Sequence, residues 1–374
     1  MKIVESAWYR DFLCQAGECP ESCCMGRLIP LTEEDRERFN AEGGYLGRKL
    51  KFQMTLSGGE HFNASTRRCA FLNRRGFCIL QECKGEAFIP EACRNFPRFY
   101  RNYRAFEERY IDLSCVYGAK LFLRSENPLG LTASEGSAES IAFGTNDDMI
   151  FLEELKTLRG EMLRGLGSVK TYRELSDLLG GFFQYCEKAQ EAFALGQTDF
   201  FAGHPFAASK AEEQKDGESD QKAGKFPLPS ANFKAVMETS FYHFRLRTRS
   251  PRLYGLCRLY FENCAKLMEV QERWEELFES FFHRHPQRVK YYADVYGYYL
   301  LQYFLEGYED YSFRRHAGLG LIHVNMILLF EILYEKEYGE PDEDARAGIL
   351  SAYVRRAYYN SDILKEIYAA GLDS

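Results

Sequence analysis

The sequence predicts a mainly α-helical protein in which a small, irregular, cysteine-rich domain precedes an all-helical one. Two observations carry that prediction. Nine of the twelve cysteines fall within the first 115 of 374 residues. Beyond residue 150 the apolar residues recur at three- and four-residue spacing, the period of an amphipathic helix. The first domain is placed at 1–125 and the helical one at 147–374. Between them lies ENPLGLTASEGSAES, rich in small and polar residues.

Residues 1–13 read as an extended or short helical lead-in, with Trp8, Phe12 and Leu13 apolar. The run Cys14-x4-Cys19-x3-Cys23-Cys24 then packs four thiols into eleven residues. Pro20 prevents a regular helix through its first three cysteines. Thr32 predicts a helix N-cap, with Asp35 three residues on as capping-box partner and acids filling the first turn. Residues 43–64 carry five glycines and little periodicity, which predicts a loop or irregular strands. From Cys69 to Cys78, apolar residues flank the polar turn Asn73–Gly76, as in a hairpin or knuckle that carries a thiol at each end. Pro90 opens a short segment leading to Cys93-Arg94-Asn95-Phe96-Pro97-Arg98, and Ile111–Cys115 reads as a strand or extended arm ending at a ligand.

Two helical stretches follow, one marked by Phe151, Leu152, Leu155, Leu158, Met162, Leu163 and Leu166. The second is marked by Leu175, Leu178, Leu179, Phe182, Phe183 and Cys186. Residues 203–230 form a charged, apolar-poor insertion expected to be mobile. Further helices are expected at 231–247, 252–283, 287–306, 318–338 and 343–368. No internal repeat is visible, and Gly318-Leu319-Gly320 lacks the preceding strand of a dinucleotide site.

A formal charge of −7 argues against a general nucleic-acid binder. The first residues contain no apolar run of secretory length. The richest apolar window, Leu319–Tyr334, is broken by His323, Asn325 and Glu331, so no membrane span is expected. The chain is therefore expected in the cytoplasm, where clustered thiols favour metal over disulfides. A thiolate site needs about four sulfurs around one zinc ion or one cubane iron–sulfur cluster. A disulfide framework is the alternative, although adjacent Cys23 and Cys24 are hard to join to each other.

The cysteine stretches resemble those of the flagellin lysine-N-methylase family, part of a wider group of cysteine-rich zinc- or iron-chelating proteins. The matching segments are Phe12-Leu-Cys-Gln-Ala-Gly-Glu-Cys19, Ser22-Cys-Cys-Met-Gly26, Cys69-Ala-Phe-Leu72, Phe77-Cys-Ile79, Ala92-Cys-Arg-Asn-Phe-Pro-Arg98 and Leu113-Ser-Cys115. The likeness is specific over residues 12–120. It implies a protein-lysine N-methyltransferase that takes its methyl group from S-adenosylmethionine, acts on flagellin and depends on a [4Fe-4S] cluster. Zinc is the alternative metal. Cys19, Cys23, Cys24 and Cys93 lead the implied ligand set, followed by Cys14, Cys69, Cys78 and Cys115. The chain departs from its relatives after the double cysteine, where Arg27 follows Gly26 instead of the common Trp. It departs again at Pro90, where relatives often carry a cysteine. Cys83 looks like an addition. Radical S-adenosylmethionine chemistry is not indicated, because position 26 is Gly and not the third cysteine of Cys-x3-Cys-x2-Cys.

Arg94 and Arg98 flank Cys93 and suit either a thiolate cluster or the carboxylate of a bound donor; surface ion pairing is the alternative. Cys186, Cys257 and Cys264 read as core thiols. His283 and His285 read as helix-end residues. Most of Tyr291, Tyr292, Tyr296, Tyr298, Tyr299 and Tyr303 read as core, with room for an aromatic wall against a lysine or methyl-sulfonium. A lysine acceptor must lose its proton before it can be methylated, which calls for desolvation or a nearby base. No residue of this sequence is singled out as that base. A second function class stays open: a non-catalytic zinc- or iron-chelating protein whose helical domain binds a partner. Nothing in the sequence fixes the oligomeric state.

Overall fold

Strand β1 (Lys2–Ser6) lies inside a four-stranded mixed sheet whose other members come from residues 98–135. The computed structural model describes residues 2–15, 19, 23–24, 28–63, 68–103, 105–136, 148–207 and 272–358. Strand β2 (Leu28–Pro30) leads into helices α1 (Glu33–Ala41) and α2 (Gly44–Thr55) and returns through β3 (His61–Asn63), its antiparallel partner. Short helices α3 (Ile79–Lys84) and α4 (Glu91–Asn95) precede the hairpin of β4 (Arg98–Asn102) and β5 (Phe106–Ile111). Helix α5 (Val116–Arg124) and strand β6 (Leu131–Glu135) complete this half.

The helices of the second half are α6 (Met149–Ser168), α7 (Tyr172–Ala194), the single turn α8 (Phe200–Gly203), α9 (Glu272–Arg284), α10 (Arg288–Tyr303), the single turn α11 (Gly307–Asp310), α12 (Phe313–Tyr338) and α13 (Glu343–Tyr358). The mainly α class holds, and the helices predicted around 151–166, 175–186, 287–306 and 318–338 are present. The expected insertion beyond residue 207 and the helices at 231–247 and 252–271 lie outside the described residues. So do the end of the last predicted helix, Cys257 and Cys264.

The sheet order is β4-β5-β1-β6. Strand β1 runs parallel to β5 (Lys2 opposite Phe106) and antiparallel to β6 (Lys2 opposite Glu135). The sequence reading had no such sheet. Its strands hide because β5 reads Phe-Glu-Glu-Arg-Tyr-Ile, with charges where a buried strand normally shows apolar residues. Side chains alternate across a strand. Phe106, Glu108 and Tyr110 face the helices, where Glu108 pairs with Arg159 and Tyr110 stacks edge-on against Tyr298. Glu107 and Arg109 face the other way.

Over residues 43–63 the expected loop or irregular strands give way at Gly44–Thr55 to helix α2, while His61–Asn63 is a strand. Gly43 is the N-cap of α2, and Gly58 and Gly59 turn the chain after it with φ of 66° and 87°. The glycines bound the helix and do not break it. Its inner stripe is Gly47, Leu50 and Met54, and Gly47 lies so close to the Glu42 carbonyl that a Cβ would stand 2.1 Å away. The predicted cap of α1 is present as a full capping box between Thr32 and Asp35.

Two hydrophobic cores result. The small one joins Ile29, Leu31, Phe39, Leu50, Phe62, Phe71 and Leu80. The large one runs from Trp8 and Phe12 through β5 and α5 to the helices, ending at Val354. Both ends of the N-terminal region, Trp8 and Phe12 on one side and Val116 to Phe122 on the other, belong to that large core. Helix α12 is the centre of the large core. It is long and apolar enough to cross a membrane, but 94% of its apolar window is buried within the protein. Its neighbour α10 carries the tyrosines, and Tyr292, Tyr296 and Tyr298 are wholly buried, as expected for core residues.

Candidate metal centre and adjoining cleft

The two cysteine groups meet through the backbone, since the Cys69 N–H donates to the Cys24 carbonyl at 2.8 Å. Between Cys69 and Cys78 the predicted knuckle forms. Asn73 Oδ1 accepts from the N–H groups of Arg75 and Phe77 at 2.8 and 3.1 Å, and Gly76 supplies φ of 88°. Cys78 bridges to Leu72 and stands at the N-cap of α3. Cys93 lies on α4, a helix too short to hold itself in place. The carboxylate of Asp35 takes the Glu91 N–H at 3.1 Å and so fixes where α4 begins. Asp35 also accepts from the Thr32 N–H and pairs with Arg38, and it is 1% exposed.

Cys115 caps α5. Its thiol is pushed up to about 12, first by burial, against the N–H groups of Gly118 and Tyr117 and with help from Cys19 and Cys23 nearby. The Cys69 thiol is raised too, first by burial, with Cys78 and Cys23 adding to it while the Phe71 N–H and Lys49 oppose it. Cys23 is thus a neighbour of both buried thiols. Cys24, Cys69, Cys78 and Cys93 pack on the small core, whereas Cys19 and Cys115 pack on the large one. Four of the eight predicted ligands therefore pack on the small core and two on the large one, with Cys23 in electrostatic reach of a buried thiol in each. Cys14 is exposed, as is Cys83 on α3. Among the described residues, no three His, Cys, Asp or Glu side chains close into a metal-binding group. The donor set is soft and rich in thiols, which once deprotonated suit zinc or an iron–sulfur cluster.

Directly beside Cys93, Arg94 and Arg98 line one cleft of about 480 Å³ with Tyr9, Tyr100, Glu107 and Arg109. Each guanidinium is partly tied down. Arg98 donates to the Phe12 carbonyl at 2.8 Å and lies over the rings of Phe12 and Tyr9. Arg94 donates to the Ala87 carbonyl at 3.1 Å, and Arg109 Nε holds Glu107 at 2.6 Å. With three guanidiniums and one carboxylate, the cleft has an excess of positive charge. The Tyr9 hydroxyl is raised by burial, with Arg109 and Arg98 pulling the other way.

No known protein family, no characterised protein and no solved structure matches the chain. The resemblance described above therefore rests on the cysteine stretches alone. Sequence reading found Arg94 and Arg98 but missed Tyr9, Tyr100, Glu107 and Arg109. Their signal was a period of two, since Arg98 and Tyr100 alternate along β4 as Glu107 and Arg109 do along β5. His285 follows the end of α9, with its Nε2 3.1 Å from Glu335 Oε1. Cys186 is a buried core thiol, as expected.

Proposed function

We propose that the chain is a protein-lysine N-methyltransferase that uses S-adenosylmethionine on flagellin. In this reading residues 14–115 contain a cysteine-rich unit that holds a [4Fe-4S] cluster at the seam between the two cores. Cys19, Cys23, Cys24 and Cys93 lead the ligand set, and Cys69, Cys78 and Cys115 stand next to them. The family and substrate come from the resemblance in the cysteine stretches. One observation of the structure supports the donor assignment: Arg94 and Arg98, singled out as carboxylate ligands, share a single cleft adjoining Cys93.

Such a donor supplies a methyl group activated by its sulfonium. This chain must grip its polar end and receive a lysine that has shed its proton. Arg94 and Arg98 suit the carboxylate, because a guanidinium offers two parallel N–H groups to it. Glu107 suits the ammonium or ribose hydroxyls of the same molecule. The Tyr9 and Tyr100 rings provide flat, electron-rich walls. Tyr9 is a poor base, since burial raises its hydroxyl.

Calorimetry of S-adenosylmethionine against anaerobically purified protein tests this reading, alongside iron and sulfide analysis and the optical spectrum. Arg94→Ala and Arg98→Ala should each weaken binding at least tenfold. No heat with cluster-replete protein would rule the donor out. The position of the thiols between two cores favours a second reading, a non-catalytic zinc- or iron-chelating protein in which metal stitches the cores together. Stoichiometric zinc, no iron and no donor binding would select it.

A further inference from the structure

A second concavity lies on the far side of the sheet from the arginine cleft. Helix α6 packs against the face of β5 that carries Glu108, opposite Glu107 and Arg109. Where α6 meets α8, its outer side opens into a groove of about 560 Å³. The floor is apolar, with Met149, Ile150, Leu158, Phe201 and Phe206 among its walls. Ile150 is 76% exposed, an unusual cost for an aliphatic side chain in the first turn of a helix. The rim is acidic. Glu153 and Glu154, adjacent on α6, and Glu161 about two turns further on all line it.

The three acids are not equivalent. Glu153 holds Lys156 at 2.7 Å, and Glu161 pairs with Arg164. Glu154 has no cationic partner among the described residues. Its carboxyl is raised first by burial and then by two further acids, Asp148 and Asp199. The groove thus combines an apolar floor edged by the exposed Ile150 with a carboxylate that no cation pairs among the described residues. The stretch from Ile150 to Glu161 spans roughly 17 Å, about three helical turns.

We infer that this groove docks a cationic amphipathic helix about three turns long, its apolar face on Ile150 and Phe201 and a lysine or arginine against Glu154. Shape and charge favour that occupant together, because helix-in-groove recognition uses apolar anchors at three- and four-residue spacing. The site is independent of the arginine cleft, and its occupancy does not require the donor reading to hold.

The full-length protein is titrated, by fluorescence polarisation, into a labelled eleven-residue peptide of leucines and lysines patterned as an amphipathic helix. Saturable binding that weakens with salt is expected. Glu154→Gln should reduce affinity about fivefold, the upper range for one exposed ion pair, and Glu154→Lys by more. Ile150→Ser should also weaken binding, while S-adenosylmethionine binding stays as in the parent. A scrambled peptide of the same composition measures attraction to the acidic surface alone. Equal binding of scrambled and patterned peptides would overturn the inference. So would an unchanged affinity in both Glu154 variants, or no binding at low salt. Concentration-dependent self-association that Glu154→Lys abolishes would assign the groove to a second copy of the chain and would overturn it too. Circular dichroism of each variant confirms that the fold is retained.

Discussion

Arg159 on α6 and Glu108 on β5 are joined by two hydrogen bonds, Nη1 to Oε2 at 2.9 Å and Nη2 to Oε1 at 2.5 Å. Both side chains are almost fully buried. Tyr110 donates to the same carboxylate at 2.8 Å, and Arg159 reaches the Leu301 carbonyl at 3.1 Å. One ion pair therefore fastens the sheet to two helices.

Breaking that pair from one side leaves a buried charge without its counterion. Arg159→Met is expected to cost about 3–5 kcal/mol. The double variant Glu108→Leu, Arg159→Met should cost clearly less, because neither charge then remains. Denaturant unfolding of the single and double variants measures both. Equal losses would mean that the pair contributes through packing alone.

His323 lies inside α12, with Nδ1 2.7 Å from the Tyr353 hydroxyl and the Tyr299 ring beside it. Burial pushes its pKa down to about 3, well below the ordinary 6.5. Between those values the unfolded chain binds a proton that the folded one refuses, so stability falls as pH drops. The slope from this one group is at most about 1.4 kcal/mol per pH unit. Unfolding curves between pH 7 and pH 4.5 should be less pH-dependent in His323→Gln than in the parent.

Asp35 anchors the start of α4, so its loss should reach Cys93. Thr32→Ala removes only a cap and should cost about 1 kcal/mol. Asp35→Ala leaves the Thr32 and Glu91 N–H groups and Arg38 without their carboxylate, at a larger cost. Metal content of protein purified anaerobically should fall in Asp35→Ala and stay near the parent level in Thr32→Ala. Parallel loss in both would separate α4 from the metal site.

Metal removal should act on one core more than the other. The small core has few large apolar residues and carries Cys24, Cys69, Cys78 and Cys93 on its edge. Chelation or oxidative cluster loss should therefore raise hydrogen exchange across α1 to α4, while α6, α7, α10 and α12 stay protected. Loss of protection in α12 at the same rate would show that the two cores melt as one.

Legibility in the sequence followed local order. Helices α6, α7, α10 and α12 were readable, because their apolar spacing is set by neighbours along the chain. The box at Thr32 and the knuckle at Asn73 were readable for the same reason. The sheet was not, since β1 pairs with residues about 100 and 130 positions away and no local pattern encodes that. Residues 43–64 misled because glycines at both ends of α2 look like a loop until the intervening Leu50 and Met54 find a core. At the candidate site, thiol spacing pointed to the seam, whereas Glu107 and Arg109 looked like ordinary charges until the alternation of β5 turned them into one cleft.

The position of β1 also sets a timetable for synthesis. Lys2–Ser6 is made about a hundred residues ahead of its neighbours, since β5 and β6 are completed only at residues 111 and 135. At roughly 5–20 residues per second, the strand waits on the order of 5–21 s for β5 and 6–26 s for β6. During that interval every cysteine from Cys14 to Cys115 emerges, ahead of the helices that bury the far side of the seam. The nascent chain thus presents its thiols to the surrounding metal and redox pool well before the fold can shield them.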